Sequence, residues 1–154
     1  MDVKIDINTD TVETAKADKL LTVPPETSVR EVFSLLQLQA AGSVLICREG
    51  KLCGIFTERD ALRMMAKRDD LDVPIEQVMV RDPVSIRCQA PIADAIRRMA
   101  GGGYRRLPIV DKDGSVVGVV KVSGILHYFV DHFPETVFNL PPQPDVIMPE
   151  REGA

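Results

Sequence analysis

Residues 43–62 read SVLICREGKLCGIFTERDAL, and residues 106–126 read RLPIVDKDGSVVGVVKVSGIL. The two segments align at an offset of 64 residues, with Ile46 on Val110 and Gly54 on Gly118. Each segment has two apolar runs rich in β-branched residues joined by a short polar turn, which is typical of a β-hairpin. A hairpin that occurs twice indicates an internal duplication, and this duplication decides the fold.

The duplication extends towards the N-terminus, where TVPPETSVREVFSLLQ (22–37) aligns with SIRCQAPIADAIRRMA (85–100) at an offset of 63. In the first copy a short strand near Leu21–Val23 ends at two prolines. Ser28 then precedes Glu31 by three residues, a capping box that predicts a helix start. Thr57 is the predicted N-cap of a second helix after the hairpin. Each copy is therefore strand, helix, strand, turn, strand, helix, in an α+β fold.

Two units of about 60 residues are each marginal as independent folds, so we expect them to pack together with pseudo-two-fold symmetry. The predicted organisation is an N-terminal segment (1–14), a first repeat (15–68), a connector (69–77), a second repeat (78–131) and a C-terminal tail (132–154). Within it, 74–80 is predicted as a short helix entering the second repeat. Val3, Ile5 and Ile7 alternate as in an edge strand. The proline-rich tail predicts an extended arm.

Charge and composition exclude several classes of protein. Lys and Arg number 19 and Asp and Glu 23, for a net charge of −4. Residues 1–18 carry −3 and residues 131–154 carry −4, so the stretch between them carries +3. This weak basic bias suits a small anionic ligand better than nucleic acid. The longest apolar runs fall far short of a membrane span of about 20 residues. The N-terminus lacks the features of a signal peptide, so we expect a cytoplasmic protein.

The sequence shows no catalytic or metal-binding arrangement. Cys47, Cys53 and Cys88 cannot all pair within one chain and have no zinc-site spacing. Cys47 and Cys53 flank the first hairpin turn, so they are either two buried thiols or a disulfide across that turn. His127 and His132 neighbour no nucleophile in a known motif. We therefore expect no enzyme activity, no metal and no required cofactor.

The doubled pattern resembles a tandem pair of CBS domains, also called a Bateman module. The resemblance rests on GIFTERDAL (54–62), VMVRDPVSI (78–86) and YRRLPIVDKDGSVVGVV (104–120), which occur in register over residues 15–131. It implies a regulatory module that binds adenosine nucleotides in the cleft between the repeats and often forms a dimer. The resemblance by itself does not imply catalysis.

The first wall of the expected nucleotide site is the segment from Gly54 to Asp60. Thr57 begins a helix, where backbone N–H groups and the helix dipole favour a phosphate. Asp60 lies one turn further on, and its carboxylate can accept two hydrogen bonds from ribose hydroxyls. The family pattern uses these two positions for phosphate and ribose. The alternative is purely structural: Thr57 is an N-cap and Asp60 is an acid favoured by the dipole.

The resemblance also implies a second wall from the opposite repeat, in which main-chain groups near Val84 meet the adenine edge and Ile55 packs on the adenine face. One or more of three arginines contact the phosphate, since guanidinium donates a planar fork to phosphate oxygens. Val80 departs from relatives that carry a hydroxyl there, which weakens the case for a tightly held polyphosphate. The residues expected on this wall are Val80, Arg81, Val84, Tyr104, Arg105 and Arg106.

The mirror-image site is degraded in the sequence, because Lys121 stands where Thr57 would be and Gly124 replaces Asp60. We therefore expect one nucleotide site per chain.

Two functional hypotheses follow. The first is a ligand-sensing module that binds AMP, ADP, ATP or S-adenosylmethionine and signals to a partner protein. It would form a homodimer through the helices after Ser28 and Thr57 and their counterparts. The second is an oligomerisation or interaction module that keeps the fold but binds no nucleotide. Neither hypothesis involves nucleic acid or a membrane.

Overall fold

The duplication in the sequence appears in the computed structural model as two units with the same order of strands and helices. The structure describes residues 7–15 and 20–132. A four-stranded sheet has the order β1-β2-β3-β4, and a three-stranded sheet has the order β5-β6-β7. The elements are β1 Thr22–Val23, α1 Val29–Leu38, β2 Ser43–Arg48, β3 Lys51–Thr57, α2 Glu58–Lys67, β4 Val80–Arg81, β5 Ile86–Arg87, α3 Ile92–Gly102, β6 Arg106–Val110, β7 Val116–Lys121 and α4 Val122–His132.

The two sheets repeat each other in register. In the first, β1 runs parallel to β2, and β2 pairs antiparallel with β3 so that Ser43 lies opposite Thr57. In the second, β5 runs parallel to β6, and β6 pairs antiparallel with β7 so that Arg106 lies opposite Lys121. Each hairpin carries a register shift near the same place, after Ile46 and after Ile109. The predicted α+β fold and the duplication are confirmed.

Local sequence signals set the helix ends. The Ser28 hydroxyl accepts the Glu31 N–H at 3.2 Å and caps α1, which is one half of the predicted capping box. The corresponding helix of the second repeat, α3, ends at Gly103. The φ of Gly103 is 71°, the left-handed conformation that glycine adopts without strain. Each helix then buries one apolar stripe; for α1 the buried residues are Val29, Val32 and Leu36.

Three apolar clusters hold the fold together. The first unit has its own core, which includes Phe56, and the second has a core that includes Leu107. A small third cluster of Leu45, Ile55 and Val119 joins β2 and β3 to β7. All three of its members are at most 8% exposed, so the two units bury their facing sheets against each other.

Each core is completed by a segment from outside its own strand–helix unit. The 3₁₀ turn Val12–Ala15 packs into the core of the second unit, and the 3₁₀ turn Ile75–Gln77 packs into the core of the first. The hydrogen bonds are repeated at an offset of 63, since Ile92 N–H donates to the Asp10 carbonyl at 2.8 Å and Val29 N–H donates to the Val73 carbonyl at 3.0 Å. The repeat relation thus includes these two segments, in which Val12 and Glu13 fall on Ile75 and Glu76 at the same offset.

This arrangement corrects the prediction for 74–80. The segment is a single 3₁₀ turn and not a longer helix, and its Ile75 is fully buried in the core of the first unit. The chain then continues as β4, which pairs with β3 of the first sheet. Ile75 is held there because its N–H donates to the Thr27 carbonyl at 2.7 Å.

The predicted N-terminal strand and C-terminal tail fall mainly outside the described residues, which begin at Ile7 and end at His132. Ile7 itself lies in a turn, and its carbonyl accepts the Ala93 N–H at 2.9 Å. The domain boundaries set from the sequence stay predictions. In the part of the chain that is described, none of the helices has the length and apolar character needed to cross a membrane.

Cys47 and Cys53 do not face each other. Cys47 lies opposite Leu52 and packs on the cluster between the sheets, whereas Cys53 packs on the core of the first unit. They are therefore on opposite faces of the β2–β3 hairpin, and both are free thiols. Burial raises the pKa of the Cys47 thiol to about 11, and the nearby Cys53 adds to this shift.

Candidate nucleotide-binding cleft

The turn from β3 into α2 forms a complete capping box. The Thr57 hydroxyl accepts the Asp60 N–H at 3.4 Å, and the Thr57 N–H donates to Asp60 Oδ2 at 2.9 Å. The Thr57 hydroxyl also lies 3.0 Å from the same carboxylate oxygen. This box fixes the Asp60 side chain at the amino end of α2, where the helix dipole favours a negative charge.

The capping role engages only one oxygen of the Asp60 carboxylate. Among the described residues, Oδ1 makes no hydrogen bond, and the side chain is half-buried. The amino end of the helix is also partly engaged, since the Glu58 N–H donates to the Gly42 carbonyl at 3.1 Å. The structural role and a ligand-binding role of Asp60 are thus compatible, because a carboxylate has acceptor sites for both.

The second wall is brought alongside by strand pairing. Val80 lies opposite Ile55 and Arg81 opposite Gly54, where β4 adds to the edge of β3. Gly54 permits this close approach, because a Cβ there would overlap the Met79 sulfur and lie 3.0 Å from the Val80 carbonyl. After β4 the chain turns at Asp82, whose N–H donates to the Cys53 carbonyl at 3.1 Å, and leads on to Val84.

The second wall also includes the loop between α3 and β6. Tyr104 is 42% exposed, and its ring lies where a side chain on Gly102 would overlap it. Arg105 follows as an exposed residue, and its carbonyl accepts the Val122 N–H at 3.1 Å. Arg106 begins β6, and its guanidinium packs against Gly42 of the other repeat. Residues from both repeats therefore border the same space.

These walls enclose a cleft of about 580 Å³. This volume is in the range of small-molecule sites. All nine residues predicted on the two walls line it: Ile55, Thr57, Asp60, Val80, Arg81, Val84, Tyr104, Arg105 and Arg106. Six further lining residues were not predicted, although each lies beside a predicted one or within two positions of it: Glu58, Arg59, Asp82, Pro83, Gly103 and Pro108. Four arginines and three acids give the lining a small positive charge.

The arginines of the cleft are held differently. Arg81 donates from Nη2 to the Glu76 carbonyl at 3.0 Å, which turns its guanidinium towards the connector. Arg106 is half-buried beside Gly42, whereas Arg59 and Arg105 are exposed. The sequence could not rank them, because their side-chain directions depend on individual contacts that the repeat pattern does not encode, such as the contact between Arg106 and Gly42.

The counterpart of this turn in the second repeat lacks the carboxylate. Lys121 ends β7 where Thr57 ends β3, and the buried Gly124 occupies the first turn of α4 where Asp60 occupies that of α2. The first turn of α4 contains no acidic residue. The statement that this second site is degraded stays a prediction.

Two other features bear on function. An apolar groove of about 380 Å³ lies between α3 and α4 and is lined by Ile96, Met99, Ile125 and Phe129, among others. Within the described residues, no cluster of His, Cys, Asp and Glu side chains is arranged to hold a metal ion. His127 is exposed on α4, and the side chain of His132 is outside the described part of the structure.

The fold is shared with solved structures. The CBS domain protein PAE2072 from Pyrobaculum aerophilum, complexed with AMP, has a TM-score of 0.72 at 22% identity, covering 80% of this chain and 98% of that one. The CBS domain pair of protein MJ0100, in complex with 5-methylthioadenosine and S-adenosyl-L-methionine, has a TM-score of 0.70 at 25% identity, covering 78% and 99%.

Sequence comparison places the chain in a family. It is similar to the CBS domain-containing protein YhcV of Bacillus subtilis, at 33% identity over 115 residues, which are 74% of this chain and 81% of that protein. The CBS domain family model matches residues 9–67 and 75–131, which together span most of the chain. The duplicated fold and these matches lead to one conclusion: the chain belongs to the CBS domain family, as a tandem pair of CBS domains.

Proposed function

We propose that this CBS domain pair is a ligand-sensing module that binds an adenosine nucleotide in the cleft between its repeats and signals to a partner protein. The single observation that carries the proposal is the convergence of Thr57, Asp60 and the arginine-bearing loop on one cleft of nucleotide size. We infer AMP, ADP, ATP or S-adenosylmethionine as the ligand class, and the cytoplasm as the compartment.

The chemistry of the cleft fits the parts of a nucleotide. Asp60 Oδ1 accepts hydrogen bonds from the ribose hydroxyls while Oδ2 keeps the cap of α2. Ile55 and the exposed Val80 and Val84 provide apolar surface for the base. The amino end of α2 and a guanidinium group attract the phosphate. The solved relatives PAE2072 and MJ0100 bind adenosine compounds, which supports this ligand class.

Signalling requires that the ligand bind two conformations of the module with different affinities. The cleft is lined by both repeats, and α2 contributes its amino end to it. A ligand that contacts both repeats therefore biases their relative position. We propose that a partner protein reads this change.

Thermal unfolding of the purified chain against AMP, ADP, ATP, NAD and S-adenosylmethionine, with GTP as a control, tests the proposal. A ligand at about a hundred times its dissociation constant adds roughly 2.7 kcal/mol to the free energy of unfolding. We expect at least one adenosine ligand to raise the midpoint. The Asp60→Ala variant should lose that rise.

Asp60→Ala also removes the carboxylate half of the α2 capping box, so its loss of stability needs a control. Ser28→Ala removes the cap of α1, which is not part of the cleft lining. Both variants should lower the midpoint of the unliganded protein by an amount equivalent to about 1 kcal/mol. Only Asp60→Ala should lose the response to ligand; a response retained in Asp60→Ala would contradict the site.

An interaction module that binds no nucleotide is the second candidate. The observation that favours it is the row of exposed apolar residues on the outer helices, such as Leu38 at 78% and Leu62 at 63% exposure. No response to any adenosine ligand would favour this alternative. In both cases we propose that the helices form a homodimer.

A further inference from the structure

The groove between α3 and α4 is lined only by apolar and aromatic residues. Met99 and Ile125 are buried in it, whereas Tyr104 and Val122 are 42% and 41% exposed. The groove therefore offers apolar surface that a further segment of polypeptide could cover.

The first repeat does not carry the same lining at the equivalent positions. Gln37 stands where the second repeat has Ala100, at an offset of 63, and Glu58 stands where it has Val122, at an offset of 64. Both polar side chains are exposed. The continuous apolar lining is thus specific to the second repeat, so the duplication alone does not account for it.

The chain leaves the second unit beside this groove. α4 ends one turn beyond Phe129, and 22 residues follow it, 133–154. Pro134 disfavours a continuation of the helix. Residues 133–140 can cover about 26 Å when extended, which is more than twice the roughly 11 Å that α4 rises between Val122 and Phe129. The C-terminal tail is therefore long enough to reach every part of the groove.

The tail cannot take the place that the connector takes in the first repeat. After α2 the connector 69–77 runs back over the start of α1, where the Val29 N–H donates to the Val73 carbonyl at 3.0 Å. In the second repeat this place belongs to the N-terminal segment, since the Ile92 N–H donates to the Asp10 carbonyl at 2.8 Å. The equivalent site on α3 is filled, and the groove between α3 and α4 is the apolar surface that remains beside the end of the described chain.

The tail matches the groove in polarity and in charge. Its segment 137–140 reads VFNL, with three apolar residues of four, and the whole tail has four acidic residues and one basic residue. Arg105 and Lys121 adjoin Tyr104 and Val122 in the chain, and the Val122 N–H donates to the Arg105 carbonyl at 3.1 Å. One end of the groove is therefore basic and favours an acidic segment.

We propose that the groove between α3 and α4 is the docking site of the chain's own C-terminal tail, and that residues 137–140 occupy it. Tyr104 lines both this groove and the cleft, and its ring lies where a side chain on Gly102 would be. A docked tail therefore contacts a residue of the cleft wall. The inference goes beyond the proposed function and does not depend on it, since docking requires no nucleotide.

Photo-cross-linking of the full chain tests which segment occupies the groove. Phe138→p-benzoylphenylalanine places a photoreactive group in the proposed segment and keeps an aromatic side chain there. Irradiation of an equal mixture of isotopically labelled and unlabelled protein, followed by peptide mass spectrometry, separates links within one chain from links between chains. We expect links within one chain to residues 96–104 or 122–129. Links to other parts of the chain alone would overturn the proposal, and links between chains would assign the groove to a second copy instead.

Val122→Glu gives the second repeat the residue that the first repeat has at this position. The helix should tolerate it, because an acidic side chain is favourable in the first turn. Tail docking would then bury a carboxylate, so the yield of groove links should fall about fivefold or more. Val122 is chosen and not Leu126, because Leu126 is also expected in the contact with a second chain.

Ser123→Glu is the matched control, since Ser123 is exposed in the same turn of α4 and is outside the groove lining. Its cross-linking yield should stay within about twofold of the wild-type yield. A yield in Val122→Glu equal to that of Ser123→Glu would contradict the docking site.

Thermal unfolding of the full chain provides a second test that uses no photoreactive group. Phe138→Ala/Leu140→Ala should lower the midpoint, because docking buries these side chains. The same pair should have little further effect in Val122→Glu, because both changes remove the same contact. Gln143→Ala is the control within the tail and should leave the midpoint unchanged. Additive losses would show that the tail packs elsewhere, and would overturn the proposal.

Discussion

The Cys47 thiol is protected by its position between the two sheets. Burial raises its pKa to about 11 from an ordinary value of 9.0. The thiolate is the reactive form, so at pH 8 the folded protein should have about a hundredfold less Cys47 thiolate than the unfolded chain. We expect iodoacetamide to modify Cys47 about a hundredfold more slowly in native buffer than in urea, as measured by peptide mass spectrometry over time.

The pH dependence provides the check on this prediction. Alkylation of Cys47 in the folded protein should keep rising up to about pH 11, because the thiolate fraction grows until the pH passes the pKa. A native rate close to the rate in urea, or one that levels off near pH 9, would contradict the burial argument. The measurement also tests whether Cys47 is available for redox chemistry, which a protonated thiol is not.

At the same scale, the nine site residues predicted from the sequence line one cleft, but the sequence could not say which of its arginines would face a ligand. Thr57 and Asp60 come from a local motif, and their capping geometry follows from a spacing of three residues. The residues that the second repeat contributes to the cleft were predicted from their positions in the duplicated pattern. The directions of Arg81 and Arg106 depend on individual contacts, with the Glu76 carbonyl five residues earlier and with Gly42 of the other repeat. These contacts leave no periodic signal along the chain.

At the scale of elements, the hairpins and helices were predictable because their apolar periodicity is strong. The two 3₁₀ turns that pack on the opposite units could not be predicted, because each is a single turn with one or two buried side chains, such as Val12 and Ile75. Their packing is decided by the position of the opposite core. The prediction of a helix over 74–80 was wrong, because the segment forms a single 3₁₀ turn whose Ile75 packs in the core of the first unit.

Because each 3₁₀ turn packs on the opposite unit, a substitution in one turn should destabilise the unit on which it packs. Val12→Ala and Ile75→Ala remove fully buried side chains, so each should reduce the free energy of unfolding by about 2 kcal/mol or more. Hydrogen exchange should locate the effects in opposite units. Val12→Ala should speed exchange mainly in Arg106–Val110, and Ile75→Ala mainly in Ser43–Arg48.

Glu13→Ala is the control for this pair, because Glu13 is exposed in the same 3₁₀ turn as Val12. Its effect should stay within about 0.5 kcal/mol. If Val12→Ala instead speeded hydrogen exchange in Ser43–Arg48, this 3₁₀ turn would stabilise its own repeat, and its packing on the opposite unit would be wrong.

At the scale of the whole molecule, the two repeats present equivalent apolar positions on their outer helices. Leu62 on α2 and Leu126 on α4 align at the same offset of 64 residues and are 63% and 58% exposed. Met65 adds a further apolar side chain one turn on, at 55% exposure. Exposed apolar side chains on the outer helices favour association with another chain. A symmetric dimer would bury the same patch on both chains.

We therefore expect the wild-type chain to sediment at about twice its mass of 17.0 kDa, and Leu62→Glu/Leu126→Glu to sediment at the mass of one chain. The glutamates would place unpaired charges in an apolar interface, which is costly. Arg63→Glu changes an exposed residue of α2 beside Leu62 and should leave the dimer intact. A double variant that remained dimeric would exclude this face. Retention of AMP binding by the monomeric variant would show that the cleft of one chain is sufficient.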